Sequence, residues 1–332
     1  MASQAEARHA PRPDLPALQK AAETVLSTDV EVVESMSGGE RRDTYRVVDA
    51  AGRRYVLKLD RDASSLEKEV AVADLVGERV PVPPVVATDL AGDLAGVPLT
   101  VSAYADGESL DEALAGAGDD EAVAIGGAVG RTLAGIGRFT FDGPGLLGAT
   151  LEPVPLDASL SDLLVDTGER VLRQDEPREA LGGPVADGFQ ALLQEAAPSL
   201  EPVATQAALV HSDFNGKNLV LARSEDGNPE VAAVLDWEFS FAGPPLADVG
   251  NMLRRQERLP MPFVDAFVAG FEEGGGALPP GWRSIGAALD ALALLDFLDR
   301  GARGEHGPMY AEACTLIEEA VGRGDLAPPP PT

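Results

Sequence analysis

The apolar positions divide this chain into a strand-rich beginning and a largely helical remainder. Leu15, Leu18, Ala22 and Val25 share one face at helical spacing, which predicts a short helix over residues 15–26. Residues 1–14 are polar and read as a disordered tail. Runs at 30–33, 44–48 and 54–59 predict three strands, the last two joined by a turn at Ala50-Ala51-Gly52. Between the first two lies Ser35-Met36-Ser37-Gly38-Gly39-Glu40-Arg41-Arg42. Its glycines allow a sharp turn and close approach of backbone N–H groups to phosphate. No G-K-[ST] follows, so it is not a Walker A loop. On the third strand Lys58 shares a face with Val56 and is flanked by Leu57 and Leu59, which points it inward. A lysine so placed requires a partner, and the helix predicted over 64–76 offers Glu69, ahead of the apolar Val72 and Leu75.

Prolines at 81, 83 and 84 set a turn into the next strand, and residues 97–104 form another that runs into Ala105-Asp106-Gly107. From Ser109 the pattern is helical. Residues 121–138 carry Val123, Ile125, Val129, Leu133 and Ile136 among many small residues, as a closely packed helix would. Further helices are expected at 156–174, 184–197, 285–300 and 309–321. Phe263, Phe267 and Phe271 form one stripe over 262–273, which reads as core. The proline-rich end, 326–332, reads as a tail.

Composition narrows the class. A chain of 332 residues with 45% hydrophobic content can bury a substantial core. Its one cysteine, Cys314, excludes an internal disulfide and a cysteine-based metal site. No apolar leader or 18-residue apolar run occurs, so a soluble, cytoplasmic protein is expected. The net charge of −29 argues against nucleic acid and anionic membrane as partners.

The chemistry is concentrated between Ala208 and Arg254. His211-Ser212-Asp213-Phe214-Asn215-Gly216-Lys217-Asn218 fits H-x-D-x-x-x-x-N. Val234-Leu235-Asp236-Trp237-Glu238 is an apolar run ending on an acid, and a hairpin turning at Gly227-Asn228 would join the two. Pro245-Leu246-Ala247-Asp248 then enters a helix. Phosphoryl transfer requires an acceptor hydroxyl held in line and a metal on the triphosphate. Asp213 would accept or orient the hydroxyl proton, and Asn218 and Asp236 would supply hard oxygen ligands to Mg²⁺.

These three motifs, in this order, resemble the aminoglycoside phosphotransferase family of antibiotic and small-molecule kinases. The resemblance implies an α+β, bilobal protein-kinase-like fold, with a small antiparallel-sheet lobe at 15–104 and a larger helical lobe at 105–325. It implies ATP or GTP as phosphoryl donor. Lys58 would grip the α- and β-phosphates with Glu69 anchoring it; Glu67 fits the family's pattern less well. Gly38 and Gly39 would cover the phosphates, and backbone groups about Ser102 to Tyr104 would meet a purine edge. His211 would brace the catalytic loop rather than act as a base, Asp248 would brace it too, and Trp237 would pack beneath the metal. The sequence departs from protein kinases where Asp236-Trp237-Glu238 replaces D-F-G. It departs again at Asn215, where they carry lysine and many aminoglycoside kinases histidine; Lys217 is a partial substitute.

The acceptor is read from charge. Residues 1–100 hold 12 basic and 17 acidic residues, whereas 101–332 hold 14 and 38. Extra acid in the acceptor-binding part fits a small cationic molecule, an aminoglycoside-like or basic peptide antibiotic. Glu238, Asp265, Glu272, Asp290, Asp296 and Asp299 are the candidate contacts. Two alternatives stand beside it. One is a kinase of a small metabolite of the choline, homoserine or amino-sugar type. The other is a non-catalytic nucleotide-binding module, against which the presence of Asp213, Asn218 and Asp236 argues.

Overall fold

The computed structural model describes residues 14–36, 43–77, 79–305 and 307–330. The Gly38-Gly39 loop and most of the expected N-terminal tail lie outside these residues. The chain forms two compact units. The first takes the residues up to Gly107 together with Leu147–Glu152 and Ala232–Glu238, and the second takes the rest. The division is therefore not the single cut near residue 104 that the sequence suggests: the segment bearing Asp236 is grouped with the N-terminal strands.

The first unit opens with α1 (Leu15–Leu26), which begins where the Asp14 carboxylate accepts the Ala17 N–H at 2.8 Å. Five strands follow: β1 (Val30–Met36), β2 (Asp43–Asp49), β3 (Arg54–Leu59), β4 (Val85–Asp89) and β5 (Leu99–Ala103). They form one antiparallel sheet in the order β1-β2-β3-β5-β4. Asp49 ties the β2–β3 turn by accepting the N–H groups of Ala51 and Arg53, and Gly52 takes the left-handed backbone (φ 79°) that the turn demands. Along β3, Tyr55, Leu57 and Leu59 are buried in a core shared with Leu18, Ala21 and Ala22 of α1. Val56 and Lys58 take the opposite face. The helix α2 (Ala63–Val76), capped by Asp62, buries Leu66, Glu69, Val72 and Val76. Leu75 is 40% exposed, because six residues on from Glu69 a helix has rotated away from that face.

The second unit contains β6 (Glu108–Ser109), α3 (Leu110–Gly116), α4 (Asp119–Ile136), β7 (Gly145–Leu147, whose last residue groups with the first unit) and β8 (Pro153–Pro155). The helices α5 (Leu160–Leu172), α6 (Asp175–Leu181) and α7 (Gly183–Ala196) follow. Then come β9 (Ala208–Val210), β10 (Leu219–Arg223), β11 (Pro229–Val234, whose second half groups with the first unit) and β12 (Phe241–Gly243). The chain ends in α8 (Leu246–Leu253), α9 (Met261–Glu273), α10 (Trp282–Ala302) and α11 (Pro308–Arg323). Two small sheets, β11-β10-β6 and β8-β7-β12-β9, frame the stretch rich in chemistry. The β10–β11 turn falls at Gly227 (φ 80°), where the sequence expects it. No helix among the described residues is long and apolar enough to cross a membrane.

The small residues of α4 have a packing role. Gly126, Gly130 and, on α9, Gly270 let the two helix backbones touch; a Cβ at Gly130 would run into the Phe267 carbonyl oxygen. The Phe263, Phe267 and Phe271 stripe is fully buried around this crossing, as core. Close helix contact of this kind leaves no room to relax. Gly130→Ala should therefore lower unfolding free energy by about 1–3 kcal/mol, whereas the same change at exposed Gly116, with open space around it, should not; urea denaturation of both variants is the check.

Candidate active site

In the first unit, β3, α2 and the segment after β11 bring three charges together. Lys58 Nζ lies 3.2 and 3.4 Å from the two Glu69 carboxylate oxygens and 2.5 Å from Asp236 Oδ1. The lysine and Glu69 side chains are mostly buried, whereas Asp236 is about one-third exposed. Lys58 reaches them because it stands on the face of β3 away from the α1 core, opposite Thr44 and Thr100. Asp236 has a left-handed backbone (φ 60°), a strained geometry for a non-glycine residue that redirects the chain directly after β11. Trp237 is buried and donates its indole N–H to the Val234 carbonyl at 3.1 Å, closing that bend. Glu69, Asp236 and Glu238 present oxygens within 4.8 Å of one another, a group able to hold a metal ion.

Beyond β5 the Arg54 guanidinium stacks on the Tyr104 ring at 4.9 Å and pairs with Asp106. The N–H of Ala103 donates to Pro84 and that of Tyr104 to Arg54. Ser102 lies inside the strand, opposite Val56.

In the second unit the loop between β9 and β10 is held from beneath. Asp248, fully buried in the first turn of α8, accepts the backbone N–H of His211 on Oδ2 and of Ser212 on Oδ1, each at 2.7 Å. This clamp holds Ser212 at φ 73°. His211 is buried, and its Nδ1 accepts the Asp213 N–H at 3.2 Å, which puts the neutral ring's hydrogen on Nε2. The imidazole thus serves as a brace for the loop. Phe214, fully buried, packs edge-on against it.

Asp213 is partly exposed and flanked by two amides. Asn218 Nδ2 donates to Asp213 Oδ2 at 2.8 Å and to the Asp213 carbonyl at 2.9 Å, while Asn215 Nδ2 donates to Oδ1 at 2.6 Å. With its nitrogen so engaged, the Asn218 side-chain oxygen is turned away from the carboxylate. The Asn215 contact is a feature that sequence reasoning missed. In the sequence Asn215 is marked as a departure from the lysine or histidine of the resembling kinases, which does not say what its amide touches.

The residues expected to contact the acceptor lie in different surroundings. Asp290 is buried and receives both Arg254 Nε and Nη2, at 2.8 and 2.6 Å. Asp299 takes Arg170, Gln174 and Arg303, and Asp296 pairs with Arg300. Asp290 and Asp299 stay charged within the helix packing because each lies beside a cation, whereas Asp296 is exposed and its i,i+4 pair with Arg300 is a surface one. Asp265 and Glu272 on α9 remain exposed. A cavity of about 50 Å³ among α8, α10 and α11 is lined by the charged Arg254, Glu257, Arg283, Asp290, Glu319 and Arg323, among others, with no residue of the 211–218 loop. Its charges balance, so it does not answer the expectation of an acidic pocket.

The sequence matches the model of the phosphotransferase enzyme family, APH, over residues 32–288. No curated protein is matched. Among solved structures, aminoglycoside phosphotransferase APH(4)-Ia is 19% identical, with a TM-score of 0.66 over 94% of this chain and 99% of that one. A thermostable mutant of that enzyme, in ternary complex with AMP-PNP and hygromycin B, gives 19% and 0.65 over 93% and 98%. The GDP and kanamycin complex of APH(2")-IIIa gives 17% and 0.72 over 93% and 99%.

Burial pushes the Asp248 carboxyl up to about 7; the charge of Asp213 adds to the rise, and the N–H groups of His211 and Ser212 oppose it. The unfolded carboxyl titrates near 4. Between these values the folded chain holds a proton that the unfolded chain has lost, so this group's contribution to stability falls as pH rises through the window. Asp248→Asn removes the titration and leaves one N–H without an acceptor. The variant should be less stable throughout, and the gap to wild type should be wider at pH 5 than at pH 8 in urea unfolding. A gap that is constant or widens with pH would show the carboxyl already ionised.

Proposed function

We infer the reaction from one premise: the chain belongs to the phosphotransferase enzyme family. It is a small-molecule kinase of protein-kinase-like fold. Our reading of its site is that Asp213 takes the proton of an acceptor hydroxyl. The hydroxyl oxygen bonds to the γ-phosphorus of ATP or GTP, the bond to the bridging oxygen breaks, and the nucleoside diphosphate leaves. The observation that carries this is the carboxylate of Asp213, presented on a loop clamped by Asp248 and held by two amides. Lys58, anchored by Glu69, neutralises the α- and β-phosphates. Gly38 and Gly39 are proposed to cover the phosphates, and the backbone near Ser102 and Tyr104 to meet the base.

The donor set fits magnesium. In the first unit it consists of the carboxylate oxygens of Glu69, Asp236 and Glu238, without histidine or cysteine. Asn218 and Asp236 would hold the ion, with Glu238 nearby. When bound, it neutralises phosphate charge. Lys58 sits on Asp236 in this structure and must yield part of that contact to phosphate.

The acceptor we favour is a cationic small molecule of the aminoglycoside or basic-peptide type, modified in the cytoplasm as a resistance reaction. The net charge of −24 over residues 101–332 supports this, as do the kanamycin and hygromycin B held by the similar enzymes. With Asp290 and Asp299 largely buried against arginines, the charge falls to Glu238, Asp265, Glu272 and the exposed Asp296. That reduced set keeps a metabolite with a single ammonium, of the choline, homoserine or amino-sugar type, as the second reading.

Asp213→Ala should lower kcat by about 10²–10⁴ while nucleotide affinity is kept, since positioned proton transfer contributes that much. Near-wild-type turnover would remove Asp213 from its role. A nucleotide-consumption screen over amine-rich antibiotics and amino metabolites, run with magnesium and again with chelator, should find magnesium-dependent turnover with a polycation. Its KM should rise with salt, as screening over about 8–10 Å weakens steering. A KM indifferent to ionic strength, or an acceptor without positive charge, would favour the second reading.

A further inference from the structure

We propose that Asn215 is a positioning residue for phosphoryl transfer, locking the Asp213 carboxylate in the rotamer that meets the acceptor hydroxyl. The proposal rests on Asp213 being the group that takes the hydroxyl proton. A carboxylate turns easily about its last torsion, whose preference is broad. Asn218 fixes one oxygen and the main-chain carbonyl of Asp213, at 2.8 and 2.9 Å. A single anchored oxygen leaves the group able to rock about that bond. Asn215 supplies the second point, donating to Oδ1 at 2.6 Å.

The Asn215 amide is itself oriented at both ends. Its Oδ1 accepts the Lys217 N–H at 3.1 Å, which assigns nitrogen rather than oxygen to the side facing Asp213. Its main-chain carbonyl accepts the Asn218 N–H at 3.1 Å. Residues 213–218 therefore close on themselves, with both carboxylate oxygens held by donors that carry no charge. Each oxygen keeps a second acceptor direction, and one of these receives the hydroxyl hydrogen as the oxygen attacks phosphorus. The same geometry admits a plainer role, in which Asn215 only shapes the loop through its Asx turn to Lys217. The two roles use opposite ends of the amide, and substitution separates them.

Asn215→Ala removes both contacts. Asn215→Asp keeps an oxygen for the Lys217 N–H but replaces the donor to Asp213 with a second negative charge. The assay is loss of the γ-phosphate from Mg–ATP or Mg–GTP at high enzyme concentration with kanamycin present, which reads transfer to water and to the drug alike. Affinity for AMP-PNP and GDP, and thermal unfolding, are measured beside it. We expect Asn215→Ala to lower kcat about 10- to 100-fold, the range for a hydrogen bond to a charged group. KM, nucleotide affinity and melting temperature should stay at wild type. Asn215→Asp should be slower still, and in an Asp213→Ala background Asn215→Ala should cost nothing more. If Asn215→Asp equals or exceeds Asn215→Ala, the residue serves the turn alone and the proposal fails. It fails also if Asn215→Ala turns over normally while Asp213→Ala does not, which leaves the proposed reaction standing. Normal turnover by Asp213→Ala would overturn both.

Discussion

The catalytic stretch depends on one buried carboxylate. Asp248 accepts two consecutive backbone N–H groups, which fixes the chain at His211 and Ser212 directly. Burying a carboxylate is costly unless its oxygens are satisfied, so the two N–H groups and Asp248 hold each other in place. Ser212 can then rest in a left-handed backbone, and Asp213 follows from it. The helix that carries Asp248 must itself be immobile. It is seated on α10 by the contact of Gly250 with Gly286 and, four residues on along both helices, by Arg254 with Asp290. Two contacts one turn apart fix both the height and the rotation of α8.

The first unit solves a different problem, that of keeping a cation in a chain with very few lysines. Lys58 is held by Glu69 from a neighbouring helix and by Asp236 from a segment distant in sequence. Its partner acids are mutually repulsive without it, which makes the lysine as much a condition for Glu69 being buried as the reverse. The strand places it, because alternation on β3 gives Leu57 and Leu59 to the core and leaves Lys58 on the other face.

Acidity has two uses in this protein. Several acids counted in the sequence are consumed in pairs with arginine, Asp290 of α10 with Arg254 and Glu312 and Glu319 of α11 with Arg255, just beyond α8. Arginine suits this task, since its planar fork meets a carboxylate at two points, as Arg254 meets Asp290. What remains for long-range attraction is the exposed surplus, and a charge count cannot separate the surplus from the paired acids.

By itself the sequence determined the strands of the first sheet, the β10–β11 hairpin, the longer helices, the phenylalanine stripe as core and the family-like spacing of His211, Asp213, Asn218 and Asp236. These are local properties: periodicity depends on near neighbours, and a motif within one loop keeps its spacing whatever surrounds it. Tertiary structure alone decided the rest. It grouped the Asp236 segment with the N-terminal strands, exposed Leu75, and committed Asp290 and Asp299 to arginines. It also put the nitrogen of Asn215 on Asp213. Each of these depends on which groups meet across long stretches of chain, or on which end of a side chain faces its neighbour. Composition and spacing carry no record of such meetings, because the energy that selects them exists only once the backbone has closed around them.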